Sequence, residues 1–215
     1  MITSFITLYA IELMGATVTE KTTTSPRLDL HDPTEARLAG CARRISQLLK
    51  SPAVTANAEA QSSLDDFLGA VYALIRAKHE GFRDRPGRTI AIRPVAQRAA
   101  RIAAGNLKTQ GLWIAGFYFN GALFRTAAVY HRMLKVVTGG NGYVPALLQK
   151  ARKQHPSWTG TELSKVHDQV NELKHDPLGI YHGRTVTYAE AVAAAGELLD
   201  LIETWVASQT PVRKK

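Results

Sequence analysis

From Asp32 to Trp205, apolar residues recur at three- and four-residue spacing almost without a break, and no other feature of the chain constrains its fold as strongly. Such spacing buries one stripe of each segment and predicts helices packed on helices. Residues 111 to 138 are the extreme case: Asn120, Arg125, Thr126, His131, Arg132 and Lys135 interrupt an otherwise apolar run, which predicts a central helix buried on most sides.

Punctuation residues divide the rest. Asp32, Pro33 and Glu35 supply an N-cap, a first-turn proline and an acid ahead of Leu38, Cys41, Ile45, Leu48 and Leu49 on one face, and this helix is expected to stop near Ser51-Pro52. After an Ala/Asn/Ser connector, Ser63-x-x-Asp66 predicts the opening of a second helix with the stripe Leu64, Phe67, Leu68, Val71, Tyr72 and Ile75, reaching about His79. Thr89 to Ile92 allow a short extended piece, as do Gly183 to Thr187, and Pro94 opens a modest helix that Gly105-Asn106 ends. Gly139-Gly140 closes the central helix and Pro145 starts a short basic one. Thr159-x-x-Glu162 reads as a capping box for a helix running to His175, where Asp176-Pro177 stops it, and Thr187-x-x-Glu190 caps the last. In that last helix Ala191, Ala194, Leu198, Leu201, Ile202 and Trp205 face inward, with Glu190, Glu197, Asp200 and Glu203 outward. The expected fold is all-α: a bundle of about five main helices with short additional ones, spanning 32–208. Residues 1–31 read as a poorly ordered extension, with Met14 an alternative start, and 209–215 as a basic tail.

The apolar opening MITSFITLYAIELMGA has no basic residue before Lys21, contains Glu12 and is shorter than a bilayer span, so export and anchoring are set aside. The single cysteine, Cys41, excludes an internal disulfide or a cysteine-rich zinc site, and its place on an apolar stripe marks it as a core residue. A cytoplasmic location is expected. Gly139-Gly140-Asn141-Gly142 lacks the spacing and lysine of a phosphate loop, and nucleophile-elbow, zinc-protease and kinase signatures are missing.

Charge is unevenly placed. Lys and Arg number 27 against 18 Asp and Glu, yet between Arg85 and Thr161 there is no acid at all. That stretch holds Arg98, Arg101, Arg125, Arg132, Lys135, Lys150, Arg152 and Lys153 among its cations, while residues 162 to 203 are mostly acidic. Two readings follow: the acidic hairpin packs on the basic middle, within the fold or across a dimer, or the basic middle is a phosphate-binding surface. In the central helix, Asn120 and His131 align, as do Arg125 and Arg132. The first pair is expected to serve the bundle interior, and Arg125 to meet an acid of the C-terminal helices.

Of seven histidines, His167 and His175 stand with Asn171 at four-residue steps, opposite the stripe Leu163, Val166, Val170 and Leu173. The two histidines lie about 12 Å apart along a helix, too far for one zinc ion. In the run VNELKHD, Asn171 and His175, followed by a loop and a final helix from Thr187, resemble the HEPN superfamily of nucleotide-binding helical domains. LDDFLGAVYALI and FYFNGALFRTAAVYH resemble the first two family helices, extending the likeness over about 60 to 208.

The resemblance implies metal-independent RNA cleavage in active members, His acting on the ribose 2′-hydroxyl and Arg on the phosphate, usually across a dimer cleft, with no cofactor. Here the family's Arg falls on Val170, and Lys174 or Arg184 would have to replace it. Candidate catalytic residues are thus His175, Asn171 and Lys174; candidate nucleic-acid contacts are Arg98, Arg101, Arg184, Arg132 and Lys135. The expected function is an RNA-associated domain of toxin-antitoxin or defence type, non-catalytic or weakly active. A homodimer and a cognate antitoxin or nucleotidyltransferase-type partner are implied. The alternatives are an endoribonuclease using His175 and a helical protein-protein interaction module.

Overall fold

The computed structural model describes residues 32–79, 107–175 and 186–209, with side chains described from Tyr118 in the central helix and up to Glu172 before the second gap. The described residues form seven helices and no strand. They are α1 (Pro33–Leu48), α2 (Pro52–Thr55), α3 (Ala58–His79), α4 (Leu107–Thr138), α5 (Val144–Gln154), α6 (Thr161–His175) and α7 (Tyr188–Gln209). The expected extended piece at Thr89–Ile92, the helix from Pro94, and residues 1–31 and 210–215 lie outside the described residues.

Local chemistry sets several ends as expected. The Asp32 carboxylate accepts from the Thr34 and Glu35 amides at 2.8 and 3.1 Å. At α7, the Thr187 amide donates to Glu190 at 2.9 Å while the Glu190 amide donates to the Thr187 hydroxyl at 3.2 Å, a reciprocal capping box. Gly139, at φ 59, reverses the chain after α4 in the left-handed region that glycine enters without steric cost.

Other ends differ from expectation. The second helix opens at Ala58, capped by Asn57 Oδ1 on the Ala60 amide at 3.0 Å, and Ser63 is fully buried inside it. The connector before it contains the turn α2, capped by Ser51. Tyr72, expected on the buried stripe, is 55% exposed, because α3 packs through Leu64, Phe67, Val71, Leu74 and Ile75.

Side-chain ties fix how the helices run. Asp66 meets Arg132, Arg125 lies over Gly69, and Arg76 sits 5.8 Å from the centre of the Tyr118 ring, so α3 and α4 are antiparallel. Asp32 with Lys78 and Glu35 with His79 make α1 antiparallel to α3. Arg37 lies against Gly196 and Arg44 pairs with Asp200 and Glu203, so α1 and α7 run parallel. Tyr130, Phe67, Leu123, Met133, Leu134, Leu163 and Leu198 fill one continuous core, with α4 touching α3, α5, α6 and α7. Tyr188 pins the far end: its hydroxyl donates to the Leu74 carbonyl at 2.8 Å and its ring stacks 6.0 Å from Phe119.

Candidate functional site

Helix α6 carries the family-like residues. Leu163, Val166 and Val170 face the core, Val170 only 2% exposed, whereas Asn171, the next residue, is exposed and the helix ends at His175. Position 170, where the family has its Arg, is therefore committed to packing. The side chains of Lys174 and His175, and the whole of Arg98, Arg101 and Arg184, lie outside the described residues. His167 sits against the edge of Tyr130, ring centres 6.4 Å apart.

The remaining candidates divide by partner. Arg132 is held by the carboxylate of Asp66, which neutralises it, while Lys135 is partly exposed. Arg125, expected to meet an acid of the C-terminal helices, instead crosses Gly69 of α3: a β-carbon there would lie 2.5 Å from its Nη1. Cys41 is buried, and that burial pushes its thiol pKa up, which disfavours the nucleophilic thiolate.

The acids of the C-terminal hairpin have partners of their own. Lys165 bridges Glu162 at 2.6 Å and Glu190 at 3.1 Å. Arg44 of α1 takes Glu203 and Asp200, which raises its already high pKa further. Glu197, expected to face outward, turns its carboxylate onto the first amides of α6, at 3.1 Å to Thr161, 2.9 Å to Glu162 and 3.0 Å to Leu163. This is the true cap of α6, in place of the Thr159 box. Glu162, Glu190, Glu197, Asp200 and Glu203 are thus engaged by α1, by α6 and within the hairpin, while Asp168 and Glu172 are exposed on α6.

The corner between α4 and α5 groups three exposed cations, besides the scattered Arg43, Lys50 and Arg125. Lys150, Arg152 and Lys153 are exposed on α5, and Tyr143, which precedes it, is 86% exposed. Arg152 also donates from Nε to the Thr159 carbonyl at 2.7 Å. His131 donates from Nε2 to the Gly142 carbonyl at 3.1 Å and so ties the glycine turn to α4.

Two residues carry structure that sequence reasoning missed. Gln169 is 1% exposed; its side-chain oxygen accepts the Val186 amide, joining α6 to the start of α7. Trp158 donates from its indole to the Glu197 carbonyl at 2.8 Å and packs 6.3 Å from Tyr130, whose phenol is pushed up to about 12 by burial. Neither lies on a periodic stripe, so only the tertiary partner reveals it.

Among the described residues no group of three or more His, Cys, Asp or Glu could hold a metal ion, and no helix is long and apolar enough to cross a membrane. The described fold and its exposed residues define an all-helical bundle with a cationic, aromatic corner. Compared with protein-family models, curated proteins and solved structures, the chain matches none.

Two carboxylates predict the acid response. Asp32, through Lys78 and the α1 amides, and Glu190, through the Thr187 amide and Lys165, are each lowered to about 2, from 3.8 and 4.5 respectively. Both are more acidic folded than unfolded. Their stabilisation is therefore complete above about pH 5 and lost as the pH falls toward 2. Urea midpoints should fall across that window, and Glu190→Gln should flatten the fall; a midpoint constant from pH 5 to 2 would contradict these partners.

Proposed function

We propose that the chain is a HEPN-like RNA-associated domain of toxin-antitoxin or defence type, acting by binding rather than by cleavage. The observation that carries the binding reading is the division of charge. Because α1, α6 and backbone amides take Glu162, Glu190, Glu197, Asp200 and Glu203 of the C-terminal hairpin, and no ion pair engages Lys150, Arg152 or Lys153 among the described residues, the cations of α5 keep their outward field. An exposed cationic face attracts phosphates and releases their counterions on binding. Buried Val170 supports binding over cleavage, since no guanidinium stands at the family's position to hold the scissile phosphate. A homodimer and a cognate partner chain belong to the same proposal.

The test is RNA affinity against salt. If about three phosphates are neutralised on a single strand, affinity falls about twentyfold between roughly 50 and 200 mM salt. Charge reversal at Arg98 and Arg101 should weaken binding with little dependence on sequence. Affinity indifferent to salt and to those substitutions would favour a protein-protein interaction module.

The endoribonuclease reading rests on exposed Asn171 and on α6 ending at His175. It requires metal-independent cleavage that leaves cyclic phosphate ends and disappears in His175→Ala with RNA binding intact. The binding reading requires that the unmutated protein leave RNA uncut.

A further inference from the structure

The α4–α5 corner exposes an aromatic ring at the start of a helix that carries exposed cations. Along α5, Ala146, Lys150 and Lys153 follow at steps of four and three residues on one side of the helix, beside the stripe of buried Val144, Leu147 and Ala151, and Tyr143 precedes the first turn as its N-cap residue, with extended backbone. All four are exposed, and Tyr143 at 86% is the most exposed large hydrophobic side chain of the described residues. A tyrosine so placed contributes almost nothing to packing. It is nevertheless held in position: its carbonyl accepts the Ala146 and Leu147 amides at 3.1 Å, and the preceding turn is anchored by His131 on the Gly142 carbonyl.

We propose that this corner is a binding site for single-stranded RNA, in which a base stacks on Tyr143 and the flanking phosphates meet Lys150 and Lys153; the inference rests on the RNA-associated reading above. Charge selects the ligand class. No Asp or Glu occurs between residues 85 and 161, so neither the turn nor α5 supplies a carboxylate that would repel phosphate.

The ring selects single strand over duplex. Bases in a duplex already stack on each other and show a protruding phenol only their edges, whereas an unpaired base can lie flat on it. The face extends about 15 Å along the helix axis, enough for a few nucleotides. Arg152, about a quarter-turn away and engaged with Thr159, is not needed.

Fluorescence anisotropy with a labelled oligouridylate and a labelled RNA duplex tests this in the full chain. Tyr143→Ala should weaken oligouridylate binding about tenfold, and Tyr143→Phe, which keeps the stacking face, should bind as the parent does. Duplex binding should not respond to either. Lys150→Glu with Lys153→Glu should weaken both ligands. The three substituted positions are exposed, so folding is not at stake. If the parent protein binds oligouridylate and Tyr143→Ala binds it equally well, the corner is not the site while the RNA-associated reading stands. If the parent binds neither ligand at low salt, that reading fails and this one with it, leaving the face to a protein partner.

Discussion

Val170→Arg should unfold the protein or cost it at least about 4 kcal/mol, seen as a collapse of the urea midpoint. The side chain is 2% exposed and belongs to the stripe with Leu163 and Val166 that seats α6 on α4 and α7. A guanidinium there must either lose its hydration in the apolar core or drive the helix outward. Each route removes a large part of the roughly 5–15 kcal/mol that holds a domain together. Val170→Ala, which only leaves a small cavity, should cost about 2 kcal/mol and keep the fold, separating loss of volume from burial of charge. A well-folded Val170→Arg protein that cleaved RNA would place residue 170 in a cleft and overturn both the packing and the binding-only reading.

How much of this was legible in sequence depends on the range of the interaction concerned. Asp32 before Pro33 and Thr187 before Glu190 announce their helices because cap and amide lie within three residues of each other. The stripes of α6 and α7 were equally plain, since burial follows helical period once the helix is formed. Tyr72 was misplaced for a reason of the same kind: it borders the stripe of α3, and only the position of α1 and α4 decides which border is covered. The candidate site divides likewise. The absence of acids from 85 to 161 is visible in the chain, but nothing local distinguishes Arg132, neutralised by Asp66 from another helix, from Lys150, which stays open. Exposed Tyr143 was hidden by its sequence setting, a glycine turn that reads as a connector and nothing more.

The cap of α6 gives the second large effect. Glu197→Ala should cost about 2–4 kcal/mol, whereas Thr159→Ala should change stability by no more than about 0.5 kcal/mol. Reading the chain locally predicts the reverse, since Thr159 heads an apparent capping box. The box cannot form as written: Gly160 adopts φ 62, and the helix begins only at Thr161. Its first three amides point instead at one carboxylate from α7, a charged acceptor at the positive end of the helix dipole. The same residue's carbonyl accepts the Trp158 indole, and the Trp158 ring lies over Gly160, where a β-carbon would sit 2.6 Å from Cη2. Cap, indole and glycine therefore form one device that sets where α6 starts and, through its length, where Asn171 emerges. Urea unfolding of the two alanine variants decides between local and tertiary capping. Equal, small losses in both would show that water replaces the Glu197 carboxylate at no cost and that α6 is positioned by its core stripe alone.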